Sequence, residues 1–290
     1  LKRFGEPQSL IFMLPALVPL TIFWLAPMVY VFYLSFTTWD FMSPVKEFVF
    51  LENFSSILHD PAFYKTLKVT LLFSLGSVIP VLVGGLMLAL LLDHKLRGTS
   101  VYRLFIFMPW VTPTVAISIV WSWIYEPKVG LANSILSVFG LKSIAWLQDS
   151  DWALFSVLIV TIWKLLGWAM VFYLVALQNV PPSLKEAAEL DGANKYQRFF
   201  NITLPVISPT TFFLFIVMLI ESLQAYDQIN VLTQGGPSGN TRTLLYMYYL
   251  AAFDQFNVGY ASAIVIVLVI ICIVLSLCSM LVSRKMVHHS

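Results

Sequence analysis

Three ionisable side chains lie inside stretches of sequence that are otherwise apolar enough for a bilayer: Lys164, Glu221 and Asp227. A charge at membrane depth is costly unless it is paired or wetted, so each is a candidate for binding or proton-relay chemistry. Lys164 and Glu221 can form a buried ion pair that fixes helix packing. Together with Asp227 they can instead line a wet cavity, as ligand-binding groups or as the relay of an ion-coupled secondary carrier. Other chemistries lack their residues. No G-x-x-x-x-G-K-[ST] phosphate loop, H-E-x-x-H pair or nucleophile elbow occurs. The histidines His59, His94, His288 and His289 fall in loops or at the tail, without metal-ligand spacing. Lys164 with Ser222 is the only pairing from which an intramembrane hydrolase could be built. Cys272 and Cys278, six positions apart in one apolar run, face different ways on a helix and read as small hydrophobes.

The elements that must hold these groups are helices. Of the 290 residues, 59 % are hydrophobic and 11 % charged, where a soluble domain carries about 25 % charged residues, so the chain belongs in a membrane. A net charge of +2 without a basic patch gives no reason to expect nucleic acid. Six apolar runs reach the ~20 residues that cross a bilayer: 10–36, 67–92, 104–125, 152–177, 209–232 and 260–282. Pro80 interrupts the second run and Pro109 and Pro113 the third, which bundled helices tolerate. The fold class expected is an all-α, polytopic membrane protein forming one transmembrane domain over 1–290. The first run follows Lys2 and Arg3 but is too long for a cleaved signal, so it reads as a retained helix.

Orientation follows from the lysines and arginines. With both termini in the cytoplasm, about ten basic residues lie inside (Lys2, Arg3, Lys95, Arg97, Arg103, Lys185, Lys195, Arg198, Arg284 and Lys285) against about six outside. The loop between the fourth and fifth runs is then cytoplasmic. Trp110, Trp121, Trp123, Trp146 and Trp152 mostly fall near run boundaries, where tryptophan is enriched, and receive no chemistry.

That cytoplasmic loop, 178–208, is polar and too long for a mere connection, so it is expected to dock onto something. Residues 184–190 read as a short helix, opened by Pro181, Pro182 and Ser183. Ser183 with Glu186 has the spacing of a capping box. Gly192 supplies a residue without a Cβ where the chain turns or meets a partner closely. Tyr196, Phe199 and Phe200 share one side of a second turn. Elements this short need a larger body to pack on.

Within the loop, Glu186, Ala187 and Ala188 are followed by Gly192 and then by Ile202, Leu204 and Pro205. This spacing resembles the EAA coupling loop of the membrane subunits of bacterial ABC importers. The resemblance extends to Leu232–Pro237 (LTQGGP), Thr241–Leu245 and Asn53–Phe54, which are similar to segments of carbohydrate permeases of the maltose-permease-F and glycerol-phosphate-permease-A kind. It implies a six-helix type I importer permease in the bacterial cytoplasmic (inner) membrane, working by alternating access. It further implies a heterodimer with a second permease subunit, a separate ATPase dimer that binds the ATP and magnesium, and an extracytoplasmic solute-binding protein. The permease itself is then no enzyme and carries no cofactor. Glu186, Ala187, Ala188, Gly192, Leu204 and Pro205 are the implied contacts to the ATPase.

The same resemblance places a sugar or oligosaccharide against the helices that flank the loop. The matching positions are Lys164, Leu165 and Trp168 on one side and Met218, Glu221, Ser222 and Ala225 on the other. Lys164 and Trp168 are i, i+4 and share a face. Trp168 offers a flat surface to sugar C–H groups, while Lys164, Glu221 and Ser222 can bond hydroxyls. Gln224, Tyr226, Asp227 and Asn230 add polar capacity nearer the outer end. The maltose protein has uncharged residues at the positions of Lys164 and Glu221, which leaves room here for an acidic sugar.

Overall fold

The computed structural model describes residues 6–93 and 98–286; the expected inside charges Lys2, Arg3, Lys95 and Arg97, and the histidines His94, His288 and His289, lie outside them. The described residues form helices and one short antiparallel ladder, in two compact units.

The first unit comprises residues 1–61 and 247–269. Helix α1 (Glu6–Leu20) continues through a π turn (Thr21–Leu25) into α2 (Ala26–Leu34). Pro15 and Pro19 lie inside α1 and a proline opens α2, so the widened turn sits among the positions where proline removes helical hydrogen bonds. The apolar span Phe12–Leu34 has no buried residue in its most apolar window. Beyond it, β1 (Thr37–Thr38) pairs antiparallel with β2 (Glu47–Phe48), Thr37 opposite Phe48. Helix α3 (Glu52–His59) then follows the ladder and is tied back to its first strand. The buried Asn53 explains its attachment, because its amide donates to the carbonyls of Ser35 (2.9 Å) and Thr37 (3.0 Å). The "NF" segment is thus a clamp on the exit from the first span.

The second unit comprises residues 62–246 and 270–290. Its core lies between α4 (Pro61–Leu92), α8 (Ala153–Gln178) and α11 (Leu204–Leu223), where Val78, Val81, Ala169, Met170, Tyr173, Ile207, Leu214 and Met218 are buried. Hydrocarbon surroundings give no hydrophobic drive to such packing, so close approach must supply it. Gly167 of α8 supplies one case: a Cβ there would collide with the carbonyl of Ile106 in α5 (Thr99–Val111). The remaining elements are α6 (Thr114–Ile124), α7 (Leu131–Val138), α9 (Pro182–Leu190), α10 (Lys195–Arg198), α12 (Asp227–Leu232), α13 (Leu244–Tyr249) and α14 (Val258–Met286), the last two running on between the units' residue ranges.

Two expected spans differ in the structure. The third, expected as one span over 104–125 interrupted by prolines, is α5 and α6 with a bend of 100° between them. Pro113 has no N–H to give and its ring keeps the preceding residue out of the helical region, and Thr112 is accordingly extended (φ −75°, ψ 136°). The fifth, expected over 209–232, runs from Lys195 to Leu223 instead. A π turn at Phe199–Thr203 lies just ahead of Pro205 and absorbs the proline, so the helix starts well inside the expected loop 178–208. The helix stops at Gln224, and 227–232 forms the separate α12. The freed carbonyl of Ala225 accepts from Thr243 Oγ1 at 2.7 Å.

Candidate functional site

Where the fifth span stops and the third one bends, the second unit encloses a cavity of about 320 Å³. Its wall is formed by Thr114 at the start of α6, by Val160, Thr161, Lys164 and Leu165 of α8, and by Glu221 and Ser222 of α11. Gln224, Ala225, Tyr226, Asp227, Gln228 and Leu245 complete it. The structure thus brings together most of the expected ligand residues: Lys164, Glu221, Ser222, Ala225, Gln224 and Tyr226, with Asp227. Thr114, Thr161 and Gln228 were not anticipated. The signal for Thr114 was Thr112–Pro113, which marks a break and therefore an end of helix aimed at something.

Trp168, like Met218 and Asn230, is an exception. It does not line this cavity; its ring packs on Trp110 (centroids 5.3 Å apart) and Phe172 (4.7 Å), beside the α4–α8–α11 core. Trp110, read from sequence as a boundary residue, is therefore a packing partner. Met218 is fully buried and Ser222 spends its hydroxyl proton on the carbonyl of Leu219 (2.8 Å).

Lys164 is also not where a simple ion pair would put it. Its Nζ donates to the main-chain carbonyls of Trp110 (3.2 Å) and Thr112 (3.1 Å), and it lies 5.4 Å from the Trp110 ring centroid. Those carbonyls belong to the break in the third span, where the bend and the missing Pro113 N–H leave helical acceptors without donors. Among the described residues the one ion pair within 4.0 Å joins Arg198 and Glu189; Lys164–Glu221 is not one. Glu221, Gln224 and Asp227 are exposed within the single chain and face the cavity.

At the other end of the fifth span lies the EAA segment. The expected Ser183 cap is absent: Pro181 precedes the helix in extended conformation, Pro182 occupies its first position, and no side chain caps it. Proline is pre-set for that position and lacks the N–H a cap would serve. The C-terminus of α9 closes in a Schellman motif. Gly192 takes φ +78°, its N–H reaches the carbonyl of Glu189 (3.1 Å), and the Ala193 N–H reaches that of Ala188 (2.9 Å). No heavy atom lies within 4 Å of where a Cβ on Gly192 would sit, so within this chain the residue serves the turn, not a close contact. The capping box falls later, at Asn194 and Gln197, whose side chains each accept from the other's main-chain N–H at 2.9 and 2.8 Å. Arg198 then pairs with Glu189 across the turn. Glu186, Ala187 and Gly192 are exposed, Ala188 is buried, and Leu204 and Pro205 are half-buried. Leu190 and Tyr196 are 90 % and 78 % exposed, a large apolar surface for a polar segment.

Comparison with known proteins fits this geometry. The family described as "Binding-protein-dependent transport system inner membrane component" matches residues 81–288. The chain is 36 % identical over 274 residues to a probable ABC transporter permease protein, YurN, of Bacillus subtilis, covering 93 % of this chain and 94 % of that one. It is 34 % identical over 259 residues to the trehalose/maltose transport system permease protein MalF of Thermococcus litoralis, covering 89 % and 86 %. A solved bacterial ABC transporter involved in the import of the acidic polysaccharide alginate contains a chain of the same fold. Its TM-score is 0.83 at 23 % identity, covering 97 % of this chain and 96 % of that one.

Proposed function

The chain belongs to the family of inner-membrane components of binding-protein-dependent transport systems, and from that premise we propose that it translocates a sugar or oligosaccharide by alternating access, driven by a separate ATPase dimer. The observation that carries this reading is the continuous helix Lys195–Leu223. At ~1.5 Å per residue it links the exposed EAA segment to the polar cavity some 40 Å away, so a push on one end is felt at the other. Leu184, Leu190, Tyr196 and Phe200 supply the apolar surface on which an ATPase would seat, with Glu186, Ala187 and Gly192 exposed between them. The partner supplies ATP and magnesium; this chain hydrolyses nothing.

A carbohydrate is favoured by hydrogen-bonding groups converging on one cavity and by the trehalose/maltose permease among the relatives. A second permease subunit would cover the first span, which buries none of its apolar window against its own chain. A solute-binding protein would deliver the ligand from outside, with both termini of this chain in the cytoplasm and 1–290 acting as one permease domain. The ion-coupled alternative is disfavoured because the ammonium of Lys164 already occupies the broken-helix carbonyls where a coupling cation would bind.

The test is ATPase activity of the purified complex with its binding protein and a panel of saccharides. Stimulation by a saccharide, blocked by vanadate and indifferent to an uncoupler, is expected. A chain that purifies with no ATPase would sink the proposal.

A further inference from the structure

The cavity contains one cation and two carboxylates, and the cation is engaged elsewhere. An ammonium has three donors. Two of those on Lys164 are taken by the carbonyls of Trp110 and Thr112 at the break of the third span, and neither Glu221 nor Asp227 lies within ion-pair distance of it. Those two carboxylates line the same cavity as Lys164, with Thr114, Thr161 and Gln224 as neutral polar neighbours.

We infer that Lys164 is a positioning residue that holds the bend of the third span, and that the cavity, left with a carboxylate excess, accepts neutral polyhydroxylated ligands and rejects anionic ones. The inference rests on the carbohydrate reading above and narrows it. The break has a fixed need: Pro113 cannot donate, Thr112 is extended, and carbonyls at membrane depth must be satisfied within the protein. Lys164 meets that need from a neighbouring helix, as a tethered cation. A ligand carboxylate or phosphate would find only the one remaining donor of Lys164 while approaching Glu221 and Asp227, so it meets a repulsion that a single ammonium offsets only in part. A neutral sugar meets carboxylate acceptors for its hydroxyl protons, the remaining donor of Lys164 and the neutral polar groups beside them. Likeness of fold to a transporter of an acidic polysaccharide does not carry that substrate's charge to this cavity.

Two measurements on the complex in lipid nanodiscs test the two halves. Spin labels at Phe105→Cys and Ile119→Cys, with Cys272 and Cys278 replaced by alanine, report the angle across the break by their separation. The wild-type lysine and Lys164→Arg are expected to give one shared distance, and Lys164→Met a shifted or broadened one. An unchanged distance in Lys164→Met overturns the positioning role, and a changed ligand KM alone would mark Lys164 as a ligand contact. Should Lys164→Met not assemble, the arginine variant decides, since failure to keep the wild-type distance overturns the assignment. For the charge, uptake of neutral oligosaccharides is compared with that of oligouronates and sugar phosphates, using one binding protein throughout. The wild type is expected to favour neutral ligands by about tenfold or more, and Glu221→Gln with Asp227→Asn to narrow the ratio by about tenfold. A preference for acidic ligands, or a ratio unmoved by the double variant, overturns the inference. If no saccharide of either kind is transported, the carbohydrate reading and the charge selection fall together, while the label distances still judge Lys164.

Discussion

The helix Lys195–Leu223 ends in two differently built places. At its EAA end, the backbone groups that helix ends leave open are closed by neighbours in sequence, by the Schellman turn at Gly192 after α9 and the capping box of Asn194 with Gln197 before α10, and Arg198 pairs with Glu189 across the turn. At the other end Leu223 gives way to Gln224 and the backbone is completed from afar, by Thr243 on the Ala225 carbonyl, while Glu221 and Asp227 face open space. One end is held by local bonds and exposes an apolar surface. The other is polar, concave and assembled from five helices. The coupling proposed above needs this asymmetry: a stiff handle that keeps its angle when pushed, and a working end whose groups are free to exchange partners.

The sharpest way to break the comparison is Gly192→Val. A β-branched residue at φ +78° is strained by about 1–2 kcal/mol, and the turn would reopen. Uptake is expected to fall at least about tenfold with the cavity intact, read as ligand binding that persists while stimulated ATPase is lost. Normal uptake in that variant would mean that the turn is not the handle.

Next in size is Lys164→Met at the other end. Two carbonyls lose their donor, at about 1–3 kcal/mol for each left unsatisfied, offset in part by removing a charge from the membrane. A lowered Tm of the purified complex is expected, and a Tm at or above that of the native protein would show the break to be self-sufficient. Asn194→Ala removes a cap and should cost about 1 kcal/mol, seen as faster amide exchange confined to residues 195–203. Smallest is Glu189→Gln. With Glu189 exposed and Arg198 half-buried, a loss of about 0.2–1 kcal/mol is expected, diminishing as salt is added. A large, salt-insensitive effect would make the pair part of the handle's stiffness instead of a trim on it.

How legible each end was in the sequence follows from the same difference. The EAA end could be read because its bonds join residues within a few positions: Gly192 announced a turn, and Asn194 with Gln197 is a spacing any chain would use. The misplacement of the cap to Ser183 came from favouring a hydroxyl over Pro182, which takes the first helical position without needing one. The cavity end could be read only as a set of suspects. Lys164, Glu221 and Asp227 stood out because charge is costly at membrane depth, yet nothing in their spacing said that the ammonium faces Trp110 and Thr112, 54 and 52 residues away. Trp168 shares a helical face with Lys164 and both meet Trp110, yet only Lys164 lines the cavity, since a face is wide enough to serve both cavity and core.

The sequence by itself determined the solvent, the class of fold, the EAA spacing and the resemblance to importer permeases, because hydropathy runs and short-range motifs are properties of neighbouring residues. The bend of the third span was written in Pro113, though not its angle. Tertiary structure alone decided the partner of Lys164, the exclusion of Trp168 and the carboxylate character of the cavity. Each of these depends on which helices pass close enough to exchange a hydrogen bond. That is fixed by packing across the bundle, as where Gly167 meets Ile106, and not by any pattern along one helix.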